Sequence, residues 1–129
     1  MCIRDSNTSS DYRLKENVVA ISDGITRVKT LKPYRFNFIS EPSITVDGFF
    51  AHEAATVVPE AVTGAKDAVA DADDDAIGQK KGDPIHQGMD YGKITPLLTA
   101  ALQELITKVE TLEAENTALK ARVTTLEGS

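Results

Sequence analysis

Ser10 and Lys15 are the two residues near the start of the chain whose types together could cut a peptide bond. A serine hydroxyl becomes a nucleophile when a base takes its proton, and a lysine that burial keeps neutral can be that base. Attack of such a hydroxyl on a peptide carbonyl gives an ester, which water then hydrolyses. The alternative is that Ser10 and Asp11 form a helix N-cap and that Lys15 is a solvated charge.

The spacing of this pair sets a geometric condition. Five residues of extended chain span roughly 17 Å, so the chain must bend between Ser10 and Lys15, or the lysine must come from another subunit. A bend would lie around Asp11, Tyr12 and Arg13. Asp11 could hold that turn or orient a partner, and Arg13 could stabilise the oxyanion of the reaction.

Length and composition limit what surrounds the pair. A chain of 129 residues with 41% hydrophobic and 5% aromatic residues forms one small domain plus an extension, with a modest aliphatic core. The net charge of −6 argues against a nucleic-acid partner, and no apolar run approaches the ~20 residues that span a bilayer. Cys2 is the single cysteine, so no internal disulfide forms. We interpret residues 1–9 as an upstream remnant or truncation scar outside the fold.

Apolar spacing predicts a series of short elements after this opening. In chain order these are a short helix that begins at Gly24, a half-buried strand over Tyr34–Ile39, a second strand over Val46–Ala51 broken at Asp47-Gly48, and a short helix over Glu53–Val58. Residues 63–84 are rich in Gly, Ala, Asp and Lys, which indicates an exposed loop or hairpin. A short apolar–polar alternation follows and ends near Asp90. The prediction is a small mixed α+β domain over residues 10–93.

The last third of the chain carries an unbroken heptad pattern. Its a and d positions, spaced alternately by 4 and 3, are Leu98, Leu102, Leu105, Val109, Leu112, Asn116, Leu119, Val123 and Leu126. The facing g and e positions are opposite in charge: Lys108 with Glu113, Glu115 with Lys120, and Arg122 with Glu127. A single amphipathic helix packed on its own domain would have a broader face and no need of matched charges. The pattern predicts a parallel coiled coil over residues 94–127.

Strand number is less constrained by the heptads. Val at a with Leu at d leans towards two strands, and Asn116 at an a position fixes the register at a cost in stability.

Metal sites are not predicted. Asp71, Asp73 and Asp75 alternate like the start of a calcium-binding EF-hand loop, but Ala76 stands where the loop needs Gly and Gly82 where it needs Glu.

His52 and His86 lack the companions that a zinc site requires, and we expect them to be surface or satisfied core residues. Tyr34 and Tyr91 are expected to be core or interface aromatics. No cofactor is predicted.

Four stretches together resemble a known family. They are SDYRLKENV, ITRVKTLKPYRFNF, GFFAHEAATVVPEAV and GMDYGKITPLLTAALQELITKVETLEAE. They are similar to the C-terminal intramolecular chaperone domain of phage tailspikes and tail fibres, of the endosialidase type, also called the peptidase S74 domain. A related domain occurs in the myelin regulatory factor. The chain departs from the family at His52, where Gln is usual, whereas the neighbouring Glu53 matches.

The resemblance implies an assembly function. Three chains would come together through the coil and help the preceding shaft of the same polypeptide to fold. The domain would then release itself by one cut at Ser9–Ser10, with Ser10 and Lys15 as the catalytic dyad, as a single-turnover autoprotease without activity in trans. A homotrimer is implied although the heptads lean towards a dimer, and we adopt the trimer because the globular part also contributes contacts. The protein would be part of a virion tail-fibre precursor assembled in the host cytoplasm.

Two alternatives remain. The first is a structural trimerisation cap that is never cut, against which Ser10 and Lys15 argue. The second is the membrane-anchored transcription-factor branch of the family, to which the acidic charge and the absence of a transmembrane segment lend no support.

Overall fold

The computed structural model describes residues 9–128, which form a small α+β domain followed by a long C-terminal helix. Of the predicted upstream remnant only Ser9 is described, and Cys2 lies outside the described residues. The helices are α1 (Gly24–Val28), α2 (Ala51–Ala54) and α3 (Thr95–Glu127), and the strands are β1 (Tyr34–Asn37), β2 (Thr45–Gly48), β3 (Val62–Thr63) and β4 (Gly88–Met89). Single 3-10 turns cover Tyr12–Leu14, Pro59–Ala61 and Tyr91–Lys93. The predicted α+β class is confirmed.

Two small antiparallel sheets form the β-structure. In the first, Tyr34 of β1 lies opposite Gly48 of β2, and in the second Val62 of β3 lies opposite Met89 of β4. The predicted strand over Val46–Ala51 is too long, because β2 includes Asp47 and ends at Gly48, the second residue of the predicted break. A Cβ at position 48 would stand 2.5 Å from the Tyr91 hydroxyl and 3.1 Å from the Phe36 ring. Gly48 therefore permits a close approach at the end of β2.

The short helices follow from local chain chemistry. α1 begins at Gly24 as predicted. α2 covers Ala51–Ala54, which is earlier than the predicted Glu53–Val58. The difference has a local cause, because a proline disfavours the helical conformation of the residue before it. Val58, which precedes Pro59, has φ −131° and ψ 77°, well outside the helical region.

Residues 63–84 form a largely exposed loop, which local hydrogen bonds stabilise. Bridges join Val69 to Pro84 and Asp74 to Gln79. Two acidic side chains of this loop accept hydrogen bonds from backbone amides. Asp73 Oδ1 accepts from the Lys81 amide at 2.8 Å, and Asp74 Oδ1 accepts from the Ala76 amide at 3.1 Å. Within residues 9–128 no group of three or more His, Cys, Asp or Glu side chains is arranged to hold a metal ion.

The core is small and aliphatic. Its buried members are Val57, Val58, Ala61, Ile94 and Leu97, against which Val28, Leu31, Phe49 and Met89 pack as partly buried side chains. Since it joins the region after α2 to the start of α3, it fixes how α3 leaves the domain.

α3 has 33 residues and is about 50 Å long at 1.5 Å per residue. Its first turns present two faces. Ile94, Leu97 and Ala101 are buried against the domain. The heptad side chains lie about 100° around the helix from that face, and their exposed fractions lie between 42% and 72%. The exposed heptad side chains are Leu98, Leu102, Leu105, Val109, Leu112, Leu119, Val123 and Leu126. Coiled-coil association stays a prediction.

Tyr34 and Tyr91 lie at the surface of the single chain. Tyr34 is 37% exposed and its ring centroid lies 5.0 Å from that of Phe50. Tyr91 is 49% exposed and meets Phe49 edge to face at 5.8 Å. Neither belongs to the core, and an interface role for these two residues stays a prediction. Among residues 9–128, every helix is too short or too polar to cross a membrane.

Candidate active site

Ser10 and Lys15 lie within hydrogen-bonding distance in one chain. The Lys15 ammonium donates to Ser10 Oγ across 2.7 Å. The chain closes this distance through the 3-10 turn Tyr12–Leu14, in which the Leu14 amide donates to the Asp11 carbonyl at 3.0 Å. Of the two routes that the spacing leaves open, a bend or a second subunit, the single chain takes the bend. A nucleophile and a base at this separation have the geometry that a Ser-Lys pair requires.

Asp11 is the residue that holds the turn. Its Oδ1 accepts from the Arg13 amide at 2.9 Å and from Arg13 Nε at 3.0 Å, and its Oδ2 accepts from an Arg13 terminal nitrogen at 2.7 Å. The side-chain hydrogen bond from Arg13, and then the one from its backbone amide, lower the pKa of the Asp11 carboxyl, while Asp11 raises the pKa of Arg13. The guanidinium of Arg13 is held by both oxygens of the Asp11 carboxylate, an arrangement here called the fork. Arg13 could therefore stabilise an oxyanion only if the fork opened.

The whole stretch from Ser9 to Asp23 is exposed in the single chain, and it is here called the catalytic segment because it holds the candidate residues Ser10 and Lys15. Its apolar side chains share this exposure: Tyr12 is 82% exposed, Val18 81% and Val19 83%. Burying one such side chain stabilises a structure by about 1.5–3 kcal/mol. The segment therefore carries the candidate pair and an apolar surface together, outside the core.

The catalytic segment ends where α1 meets α3. Glu104 Oε2 accepts from the Gly24 amide at 2.6 Å, and its Oε1 lies 3.5 Å from the Ile25 amide. Asp23, at the N-cap position, makes no side-chain cap hydrogen bond, so a carboxylate from α3 fills that role. A Cβ at position 24 would lie 2.5 Å from Glu104 Oε2 and 2.6 Å from the Ala101 nitrogen. We call this contact the α1–α3 junction.

Sequence reasoning missed the junction. It predicts Gly24 only as the start of a short helix, and Glu104 occupies a c position, which faces solvent in a simple coiled coil. A signal was present in the sequence. Beside the row of a and d positions, here called the seam, lies a second stripe spaced by 3, 4 and 3 that consists of Ile94, Leu97, Ala101 and Glu104. That stripe is the face on which the domain packs.

The stretch around His52 forms a separate polar–aromatic cluster. His52 is exposed, and its ring stacks on that of Phe50 at 5.9 Å, whereas Glu53 Oε2 accepts from the Tyr34 hydroxyl at 3.4 Å and lies 3.7 Å from Lys32 Nζ. The hydrogen bond to Glu53, followed by desolvation, raises the pKa of Tyr34. His52 therefore contacts an aromatic ring at the surface.

His86 is also exposed, and it lies outside this cluster.

One comparison with known proteins matches the part of the chain that contains Ser10 and Lys15. A family model described as chaperone of endosialidase, peptidase S74, matches residues 10–63. The matched range begins at Ser10 and runs through Lys15, α1, the first sheet and α2 to β3. A search of curated proteins found no match. Over residues 10–63 this chain is therefore similar to the peptidase S74 family, the chaperones of endosialidase.

Proposed function

We propose that this chain is the intramolecular chaperone of a phage tail fibre or tailspike, which assembles as a homotrimer and then releases itself by one cut at Ser9–Ser10. The observation that carries the proposal is the 2.7 Å hydrogen bond between Lys15 and Ser10 within the family segment. The chain's partners would be its own copies and the fibre shaft upstream on the same polypeptide.

The reaction would proceed in two balanced steps. Lys15, in its neutral form, takes the hydroxyl proton as Ser10 Oγ attacks the Ser9 carbonyl carbon, and it then passes this proton to the Ser10 nitrogen as the peptide C–N bond breaks. Ser9 is now held to Ser10 Oγ as an ester. Water adds to the ester carbonyl and the C–Oγ bond breaks, leaving a carboxylate on Ser9 and restoring the Ser10 hydroxyl.

Assembly supplies what the single chain lacks. A lysine acts as a base only where its neutral form is favoured, and burial is the usual means. Lys15 is exposed in the single chain, as are the apolar side chains of the catalytic segment. Packing of that segment against neighbouring copies would desolvate the amine and bury those side chains together. Cleavage would then follow assembly and report on it.

α3 is the element proposed to bring the copies together. Its charged pairs, such as Glu115 with Lys120, match only in a parallel arrangement of identical chains. Ile106, at an e position, is 47% exposed and widens the apolar face of the first turns. A face wider than a and d alone suits a bundle of more than two helices, which supports the trimer over the dimer favoured by Val at a.

The test uses the chain extended upstream by a fragment of its shaft, as wild type, as Ser10→Ala and as Ser43→Ala. Ser43 is an exposed serine in the turn before β2 and serves as the matched control. Intact mass spectrometry should find a new N-terminus at Ser10 in the wild type and in Ser43→Ala but not in Ser10→Ala. Light scattering should find trimers in all three.

Two outcomes would overturn parts of the proposal. Uncut trimers of the wild type would mean a structural cap without proteolysis. Dimers would mean that the heptad preference prevails over the family analogy.

A further inference from the structure

We infer that Glu104 is a positioning residue for the cleavage, because it ties the catalytic segment to the coil at the α1–α3 junction. The inference rests on the proposed function, and it assigns to one carboxylate the mechanical link between association and chemistry. Glu104 does not touch the reacting atoms. It acts through Gly24, at which the catalytic segment joins the folded domain.

The junction is close and directional. The Glu104 carboxylate accepts from the Gly24 amide at 2.6 Å, and Gly24 itself is buried. The first amides of a helix have no partner within the helix, and hydrogen bonds to a charged acceptor are stronger than neutral ones. Without the carboxylate, the part-buried Gly24 amide loses its partner and the start of α1 loses its attachment to α3. The carboxylate therefore fixes the position along α3 at which the catalytic segment is attached to the domain.

The same turn of α3 carries the seam. Leu102 and Leu105 flank Glu104 in the chain, and both are exposed at the a and d positions predicted to meet other copies. In copies that associate along the seam, the α1–α3 junctions would therefore lie at the same position along the axis of the coil. Each catalytic segment would start from a fixed place relative to its neighbours. The contacts that desolvate Lys15 would depend on that place.

Substitutions in the stripe and substitutions in the seam are expected to affect cleavage and association separately. Glu104 is not one of the nine positions of the seam, so replacing Glu104 leaves the apolar contacts of the coil in place. A loss of Glu104 is therefore expected to slow cleavage without preventing association. A misplacement of about 1 Å from a distant substitution can cost on the order of a hundredfold in rate.

The experiment measures self-cleavage of the upstream-extended chain by time-resolved mass spectrometry in wild type, Glu104→Ala, Glu104→Gln and Glu110→Ala. Glu110 is an exposed glutamate further along the same helix and provides the matched control. Glu104→Ala should cleave about tenfold to a hundredfold more slowly while remaining trimeric by light scattering. Glu104→Gln keeps an oxygen that can accept from the Gly24 amide, so it should restore most of the rate. Glu110→Ala should cleave like the wild type.

A second substitution approaches the junction from the other side. Gly24→Ala places a Cβ 2.6 Å from the Ala101 nitrogen, so α1 must move away from α3. It should slow cleavage as Glu104→Ala does and should not be rescued by Glu104→Gln. If Glu104→Ala fails to fold by circular dichroism, Glu104→Gln and Gly24→Ala still decide the question.

The outcomes separate this inference from the proposed function. Cleavage at the wild-type rate in folded, trimeric Glu104→Ala would overturn the positioning role and leave the autoprotease standing. An equal loss of rate in Glu104→Ala and Glu104→Gln would also overturn it, because the hydrogen bond would then not be what matters. Absence of cleavage in the wild type would overturn both.

Discussion

The catalytic segment and α3 both expose apolar side chains, but their sequences organise that exposure differently. In α3 the apolar residues recur every 3 or 4 positions and are flanked by matched charges, so a partner of the same kind can be inferred from the sequence. In the catalytic segment Tyr12, Leu14, Val18 and Val19 follow no helical period. The segment is shaped by local hydrogen bonds, such as those between Asp11 and Arg13. The sequence of one region thus predicts packing, and the other region holds the residues proposed for the chemistry.

This difference predicts that association and cleavage can be changed separately in this molecule. The regions meet at the α1–α3 junction, where Glu104 of α3 holds the amide of Gly24. Substitutions on either side of the junction should therefore give different phenotypes, which the following predictions use.

The largest effect is expected from removing the proposed base. Lys15→Met keeps most of the side-chain length but cannot accept the Ser10 proton, so self-cleavage of the upstream-extended chain should fall by several orders of magnitude. Association should be unchanged, because Lys15 lies outside α3. Lys29→Met, at an exposed lysine just after α1, should cleave normally. Intact mass spectrometry checks both variants, and persistent cleavage in Lys15→Met would remove Lys15 from the mechanism.

The next effect breaks the packing region. Leu112→Asp places a charge at a d position, and losing a buried leucine there should destabilise association by about 2–5 kcal/mol per copy before the cost of the charge. The variant should sediment as a monomer and, as a consequence, should not cleave. Ala114→Asp introduces the same charge at an f position and should remain trimeric. Cleavage by a monomeric Leu112→Asp variant would show that the chemistry does not need the coil.

A smaller effect of opposite sign is expected at Asn116. An amide at an a position is buried in the coil at a cost of about 1–3 kcal/mol, so Asn116→Val should raise the thermal unfolding midpoint. The same change removes the polar residue that specifies the register, and mixed oligomers are expected by light scattering. Thr117→Val, one residue further on the outer face, should change neither property. A lower midpoint for Asn116→Val would contradict burial of this position.

The smallest effect concerns the turn beneath the dyad. Arg13 holds the pKa of Asp11 below its ordinary value of 3.8, so the turn gains stability from the ionised carboxylate above that value. This contribution is lost as the pH falls through the lower folded-state pKa. In Arg13→Gln, carbon-detected NMR should find Asp11 titrating closer to 3.8. Arg35→Gln should leave Asp11 unchanged and raise the pKa of Asp47, which Arg35 lowers. An unaltered Asp11 titration in Arg13→Gln would exclude the fork as its cause.

Local patterns were enough for part of the fold. The start of α1 at Gly24 and the strand beginning at Tyr34 were predicted from apolar spacing and the flanking glycine and proline. Prediction falls short where a residue's role depends on distant neighbours. Gly48, predicted as part of a strand break, is the last residue of β2, and no local pattern shows that Tyr91 and Phe36 come close to it.

By itself, the sequence determined which residues could react and which face of α3 could associate. Both depend on residue type and on spacing along the chain, and neither requires knowledge of distant contacts. Only the tertiary structure decided that Lys15 reaches Ser10 through a bend in one chain, and that Glu104 caps α1 from across the domain. The physical reason is that a turn held by one carboxylate and a contact across 80 residues leave no periodic trace in the sequence.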